Sequence, residues 1–172
     1  LSLPERATPC FYSYVLQSQA MHHTTSPAKR FVRPASCEGS FQACVNKRPF
    51  KVLALAGQLT LRAELEQAPD HWVWKLIVDG KVGTKRTTIG LFLDNDLKPG
   101  DHNLPGHAQI KVIYNETQHR QNTLYHSAHF QNGTLSLLEA NPYTLRLRGR
   151  FSFSMSSINF EVTNGFFDVH CR

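Results

Sequence analysis

The chain has 172 residues, 41% of them hydrophobic, which suits one well-buried domain and is too few for two comfortable ones. No window approaches the roughly 20 apolar residues of a transmembrane helix. Nineteen Lys and Arg against 13 Asp and Glu leave a charge of +6 that favours acidic partners, yet the cations are scattered, so a specific nucleic-acid interface is not expected.

The chain opens at Leu1 rather than Met, without a charged-then-apolar leader, and reads as a mature chain whose signal peptide is absent. Residues 1–39 carry Pro4, Pro9, Pro27 and Pro34 and the polar run Gln17 to Ser26. They predict an irregular N-terminal arm, with a short helix around Tyr12–Met21. From residue 40 to 172 the pattern changes to short alternating segments separated by turn residues. Strands are expected near 41–46, 50–56, 58–66, 71–79, 86–94, 108–116, 123–131, 134–140, 144–156 and 158–170. Their punctuation is Pro69-Asp70, Asp79-Gly80, Pro99-Gly100, Pro105-Gly106, Asn132-Gly133, Asn141-Pro142 and Asn164-Gly165. Many close-spaced strands and no long helix predict an all-β domain, an antiparallel β-sandwich or flattened barrel.

The clearest segment is TLRLRGRFSFSMS, residues 144–156. Alternation puts Leu145, Leu147, Gly149, Phe151, Phe153 and Met155 on one face, and Arg146, Arg148, Arg150, Ser152 and Ser154 on the other. With Ile158, Phe160 and Val162 inward on the next strand, a long core hairpin is expected.

Cys10, Cys37, Cys44 and Cys171 lack the C-x-x-C spacing of zinc or redox sites. An even count, far apart, suits two disulfides in an oxidising compartment, one of which would tether the arm through Cys10 or Cys37. A Cys44–Cys171 bond would staple the two ends of the domain. Four buried thiols in a reducing compartment are the alternative.

In LYHSAHFQNGTL, residues 124–135, Asn132-Gly133 reads as a two-residue hairpin turn. That register places His126 across from Glu139. The pair could serve as a general base fixed by a carboxylate, or simply as a cross-strand polar pair. His126 and His129 point to opposite faces of such a strand and cannot share a metal ion. Asn132 and Asn115 each begin an N-x-T glycan acceptor, and only Asn132 is also explained as a turn residue. Trp72 and Trp74 fall on one strand face, as core or as a platform for sugar rings or an apolar ligand. Arg146, Arg148 and Arg150 form a cationic row suited to anionic glycans or phosphates, or a solvated sheet face. Asp94-Asn95-Asp96 with Asp101 and His102 invites a calcium reading, but the spacing departs from the D-x-D-x-D-G loop. No metal or cofactor site is expected.

Three stretches carry a resemblance. SFQACVNKRPFKV (40–52) runs from an apolar strand through an Asn-containing turn into a second strand, and LFLDNDLKPGDHNL (91–104) has a strand, a Pro-Gly turn and another short strand. NGTLSLLE, LRGRFSFSM and FEVTNGFFDV, within 132–169, supply the ending. Together these resemble the bacterial secreted and lipid-anchored β-sandwich proteins of unknown function. The resemblance implies an exported all-β domain and supplies no catalytic residues. The long arm, the four cysteines and Arg48 in the first turn depart from it, and Ala-Thr-Pro before Cys10 is no lipobox.

The function expected is therefore that of an exported, non-enzymatic domain, secreted, periplasmic or at the cell surface. Its partner would be an anionic glycan or surface, or another protein. The alternatives are an apolar-ligand carrier, which needs an interior that Phe151, Phe153, Phe160 and Phe167 look able to fill, and a hydrolase using His126 and Glu139.

Overall fold

The computed structural model describes residues 36–61 and 71–172. The helix expected around Tyr12–Met21, the Pro69-Asp70 break and Cys10 lie outside the described residues. Among the described residues eleven strands follow one another: β1 (Glu38–Val45), β2 (Arg48–Pro49), β3 (Lys51–Leu61), β4 (Trp72–Val82), β5 (Lys85–Asp94), β6 (Gly100–Asn103), β7 (Ile110–Gln118), β8 (Gln121–His126), β9 (Asn132–Asn141), β10 (Arg146–Met155) and β11 (Phe160–His170). They form two antiparallel sheets packed face to face, ordered β2-β1-β11-β10-β9-β6 and β3-β4-β5-β7-β8, an all-β sandwich.

Alternation along each strand decides which face is buried. From the six-stranded sheet Phe41, Ala43 and Val45 enter the core beside Leu135, Leu137, Leu147, Phe151, Phe153, Phe160, Val162, Phe167 and Val169. From the other come Trp74, Leu76, Val78, Ile89, Leu91, Leu93, Ile110, Val112 and Tyr114. The expected core hairpin is β10 and β11, running from Arg146 opposite His170 to Met155 opposite Phe160. Ile158 is the exception, 51% exposed, because it ends a 3-10 turn (Ser156–Ile158) instead of pairing. The interior is filled by aromatic rings, with Phe130 on Phe153 at 4.3 Å between centroids, Tyr114 against Phe160 at 4.7 Å and Phe41 against Phe151 at 5.7 Å.

Several boundaries differ from the sequence reading. Among the described residues pairing already begins at Ser36, which bridges Ala56, before the expected start at residue 40. The segment expected at 50–56 and the described part of that expected at 58–66 are one strand, β3, ending at Leu61 and bulged between Val52 and Ala54; residues 62–66 lie outside the described residues. Asp79-Gly80 lies within β4, and the turn comes at Gly83, whose φ is +61°. Asn164 at φ 53° marks a bulge rather than a turn. Asn141 does turn the chain, its Oδ1 accepting from the amides of Tyr143 (3.0 Å) and Thr144 (3.2 Å).

Asn132-Gly133 is not a hairpin turn. Both residues are in β9, facing Ser154 and Phe153 of β10, while β8 pairs with β7 in the other sheet. A 3-10 turn at Ser127–His129 carries the chain between the sheets. Gly133 is required by space, since a Cβ there would lie 3.0 Å from Phe153 Cβ and 3.1 Å from Leu104 Cβ.

The ends of β1 and β11 reach across to the outer edge of β3. The Cys37 amide donates to the Leu55 carbonyl (3.1 Å) and that of Arg172 to Gly57 (2.9 Å), while the Leu59 amide donates to Arg172 (3.3 Å). The sandwich is thus closed along one seam, and an edge strand that would otherwise offer unpaired backbone is covered there. No disulfide is drawn between the described cysteines. A Cys44–Cys171 bond is excluded by register: Cys44 faces Thr163, and Cys171 lies beyond the opposite end of that ladder, about 25 Å away at ~3.3 Å per residue.

Candidate binding face

The sequence-predicted residues do not assemble into one site. His126 faces Ile113 in the five-stranded sheet and Glu139 faces Arg148 in the six-stranded sheet, so the His126–Glu139 pair does not exist. The two diverge because the turn that would have joined β8 to β9 is absent. His126 instead caps the 3-10 turn, its Nδ1 accepting from the Ala128 amide at 3.1 Å. Burial, then Lys111 and His129, holds its pKa below the ordinary value. Its ring centroid is 6.3 Å from that of His129, in an edge-on arrangement.

Trp74 is wholly buried, whereas Trp72 is 46% exposed at the end of β4, so no two-indole platform faces solvent. Of the arginine row, Arg146 is held by both oxygens of Asp168 (2.9 and 3.0 Å), with Glu139 3.7 Å away. That contact raises the guanidinium pKa and lowers the carboxyl pKa. Arg148 faces both Glu139 and Asp168 in the ladder, and Arg150 faces Ser136 and Phe166. Of this row only Arg146 makes an ion pair among the described residues; Arg148 lies beside the same two carboxylates without pairing with them, and Arg150 faces no acidic residue. Asp94 pairs with His71 (3.1 Å) and Asp101 accepts from Ser136, and no metal-ready cluster of His, Cys, Asp and Glu occurs among the described residues. Asn115 sits in mid-sheet and Asn132 is exposed at the start of β9.

A different constellation is formed by register. Residues facing one another across antiparallel strands point to the same side. On the outer face of the five-stranded sheet, one row across the strands therefore reads Lys51, Lys81, Arg86, Thr117, Asn122. The next reads Ala54, Asp79, Thr88, Asn115, Leu124, and the third Ala56, Ile77, Gly90, Ile113, His126. Chemistry changes from row to row: three adjacent cations, then hydrogen-bonding groups, then an apolar floor. Gly90 keeps the floor flat, since a Cβ there would lie 2.6 Å from the Ile113 side chain.

A hollow of about 830 Å³ lies over these rows, with Lys81 and Arg86 on its wall and Leu53, Ala56 and Ile77 among its apolar lining. Asp79 accepts from the Thr88 hydroxyl and Asn122 Oδ1 from that of Thr117 (2.9 Å), which fixes two polar groups. Asn115 Oδ1 is shielded from solvent and accepts no hydrogen bond from the described residues. Buried acceptors of this kind are uncommon, because leaving one unpaired costs about 1–3 kcal/mol.

Among the described residues the cations of the first row have no acidic partner. Among the described residues Lys85 pairs with Glu116 (3.3 Å), but no ion pair includes Lys51, Lys81 or Arg86. Arg48 adds a further charge at the same end, its guanidinium lying against Gly83 in the β4–β5 turn. Sequence reasoning missed this set because Lys51, Lys81 and Arg86 come from three strands, and their adjacency is a property of pairing. The chain matches no protein-family model, no curated protein and no solved structure.

Proposed function

We propose that this chain is an exported binding domain that holds an anionic glycan on the outer face of its five-stranded sheet. The observation that carries this reading is the row Lys51, Lys81, Arg86, in no ion pair among the described residues, of which Lys81 and Arg86 line the hollow. Like charges side by side on a sheet destabilise it, so a bound anion relieves a cost the fold otherwise bears. Sugar hydroxyls would meet Thr88 and Thr117, with ring faces on the floor around Ile77. Carboxylate or sulfate groups would lie on the cations, where the planar Arg86 fork suits such oxyanions. The aromatic interior argues against the apolar carrier, and the separation of His126 from Glu139 argues against the hydrolase.

The test is calorimetric titration with a sulfated polysaccharide, a uronate polysaccharide, neutral dextran and duplex DNA. Binding to an anionic glycan, absent for dextran and weaker for DNA, is expected. Lys51→Gln, Lys81→Gln and Arg86→Gln together should cut affinity at least tenfold and flatten its salt dependence, each lost cation removing a slope of about 1. Gln replacements of Arg148 and Arg150 should leave both unchanged. Equal loss from the β10 pair, or equal affinity for dextran, would sink the assignment, and tighter binding to DNA would replace the glycan.

A further inference from the structure

We propose that Cys37 and Cys171 form a disulfide in the mature protein, locking the first strand to the last where both meet β3. Facing residues of β1 and β11 run Phe41–Phe167, Ser40–Asp168, Gly39–Val169 and Glu38–His170. The next facing pair in that register is Cys37 and Cys171. Facing residues of antiparallel strands have Cα atoms about 4.5–5.5 Å apart, inside the ~4.4–6.8 Å range of disulfides.

The side chains converge as well. Cys37 and Cys171 share strand parity with Gly39 and Val169, and both turn inward, Cys171 being 6% exposed. Both sulfurs lie over Gly57 of β3. A Cβ added there would meet Cys171 Sγ at 2.9 Å and Cys37 Sγ at 3.3 Å, so the two sulfurs flank a single point. The missing side chain of Gly57 makes the room they occupy. Cys44, at the far end of the ladder, is no competitor for either.

Oxidation removes one proton and one electron from each thiol and forms the S–S bond. The two electrons pass to the disulfide of a thiol–disulfide oxidase, or to oxidised glutathione, which leaves as thiols. Exchange proceeds through a thiolate, and in the folded seam burial raises both thiols, Cys171 to about 12. The bond is therefore made while the seam is open, and once closed over it exchanges slowly. It encloses nearly the whole described domain, the loop length at which a cross-link restricts the unfolded chain most. This inference does not depend on the glycan reading, which can fail without touching it.

The experiment is disulfide mapping of the full chain, exported to an oxidising compartment, trapped with an alkylating agent in acid and digested without reduction. Cleavage after Glu38 separates Cys37 from Cys44, which a cut at Lys or Arg does not. A linked peptide pair carrying Cys37 and Cys171 is expected. Reduction should lower the unfolding temperature by roughly 10 °C. The double variant Cys37→Ser, Cys171→Ser should unfold at the reduced protein's temperature and ignore reductant. Folded protein with both thiols alkylated, or Cys37 linked to Cys10 or Cys44, would overturn the proposal. Mapping needs no variant, so a substitution that fails to fold leaves the answer intact.

Discussion

His126 illustrates how a residue's chemistry is assigned by its neighbours. Its neutral Nδ1 accepts the Ala128 amide, and burial followed by Lys111 and His129 disfavours the charged form. The folded pKa thus lies below the unfolded value near 6.5, so the unfolded chain binds the proton more readily. The stabilisation is fully present above that value and is lost as pH falls through the folded pKa. His126→Gln should therefore unfold at a urea concentration that changes less between pH 8 and pH 5 than wild type does. An unchanged pH response would show that other groups carry it. Trp72 and Trp74 make the same point: two indoles two residues apart share a face, yet one ends in solvent and the other in the core.

At the scale of strands, β4 and β10 bear charge on their outer faces in different circumstances. The arginines of β10 lie between strands that supply Glu139 and Asp168, whereas Lys81 on β4 lies between Lys51 and Arg86. A cross-strand pair of opposite sign contributes roughly 0.2–1 kcal/mol, and like charges cost a similar amount. Lys81→Glu is accordingly expected to raise stability by about 0.5 kcal/mol while abolishing glycan binding, read from urea midpoints and titration on the same variant. A fall in stability would mean the row is compensated. The inner faces contribute far more to stability: Phe151, buried among Phe41, Phe153 and Phe167, falls in the class whose truncation to Ala costs about 3–5 kcal/mol.

For the whole molecule, the seam at β3 joins the beginning and end of the described domain. Leu59 donates to the carbonyl of Arg172, and Arg172 in turn donates to Gly57. Deleting Arg172 should expose the Leu59 amide to fast hydrogen exchange and leave that of Leu76, in the wholly buried part of β4, protected. Retained protection at Leu59 would mean the edge is covered by something other than the C-terminus. The proposed glycan would lie away from this seam, on the outer sheet face with its cations, polar row and apolar floor.

Alternation in residues such as Leu147 to Met155 was enough, without any structure, to give an all-β domain, a sandwich or flattened barrel, with its last hairpin and most of its inward side chains. Burial of large apolar groups on one face is a local pattern with a period of two, so it can be read along the chain. Which strands lie side by side is not local. Asn132-Gly133 has the composition of a hairpin turn, but closing one there would keep β8 and β9 in one sheet, and packing divides them between two. The same non-local pairing brought Lys51 beside Lys81 and Arg86, and Cys37 opposite Cys171. Pairing was decided by the tertiary structure because register follows from how two whole faces bury each other, a sum over many residues that no short stretch contains.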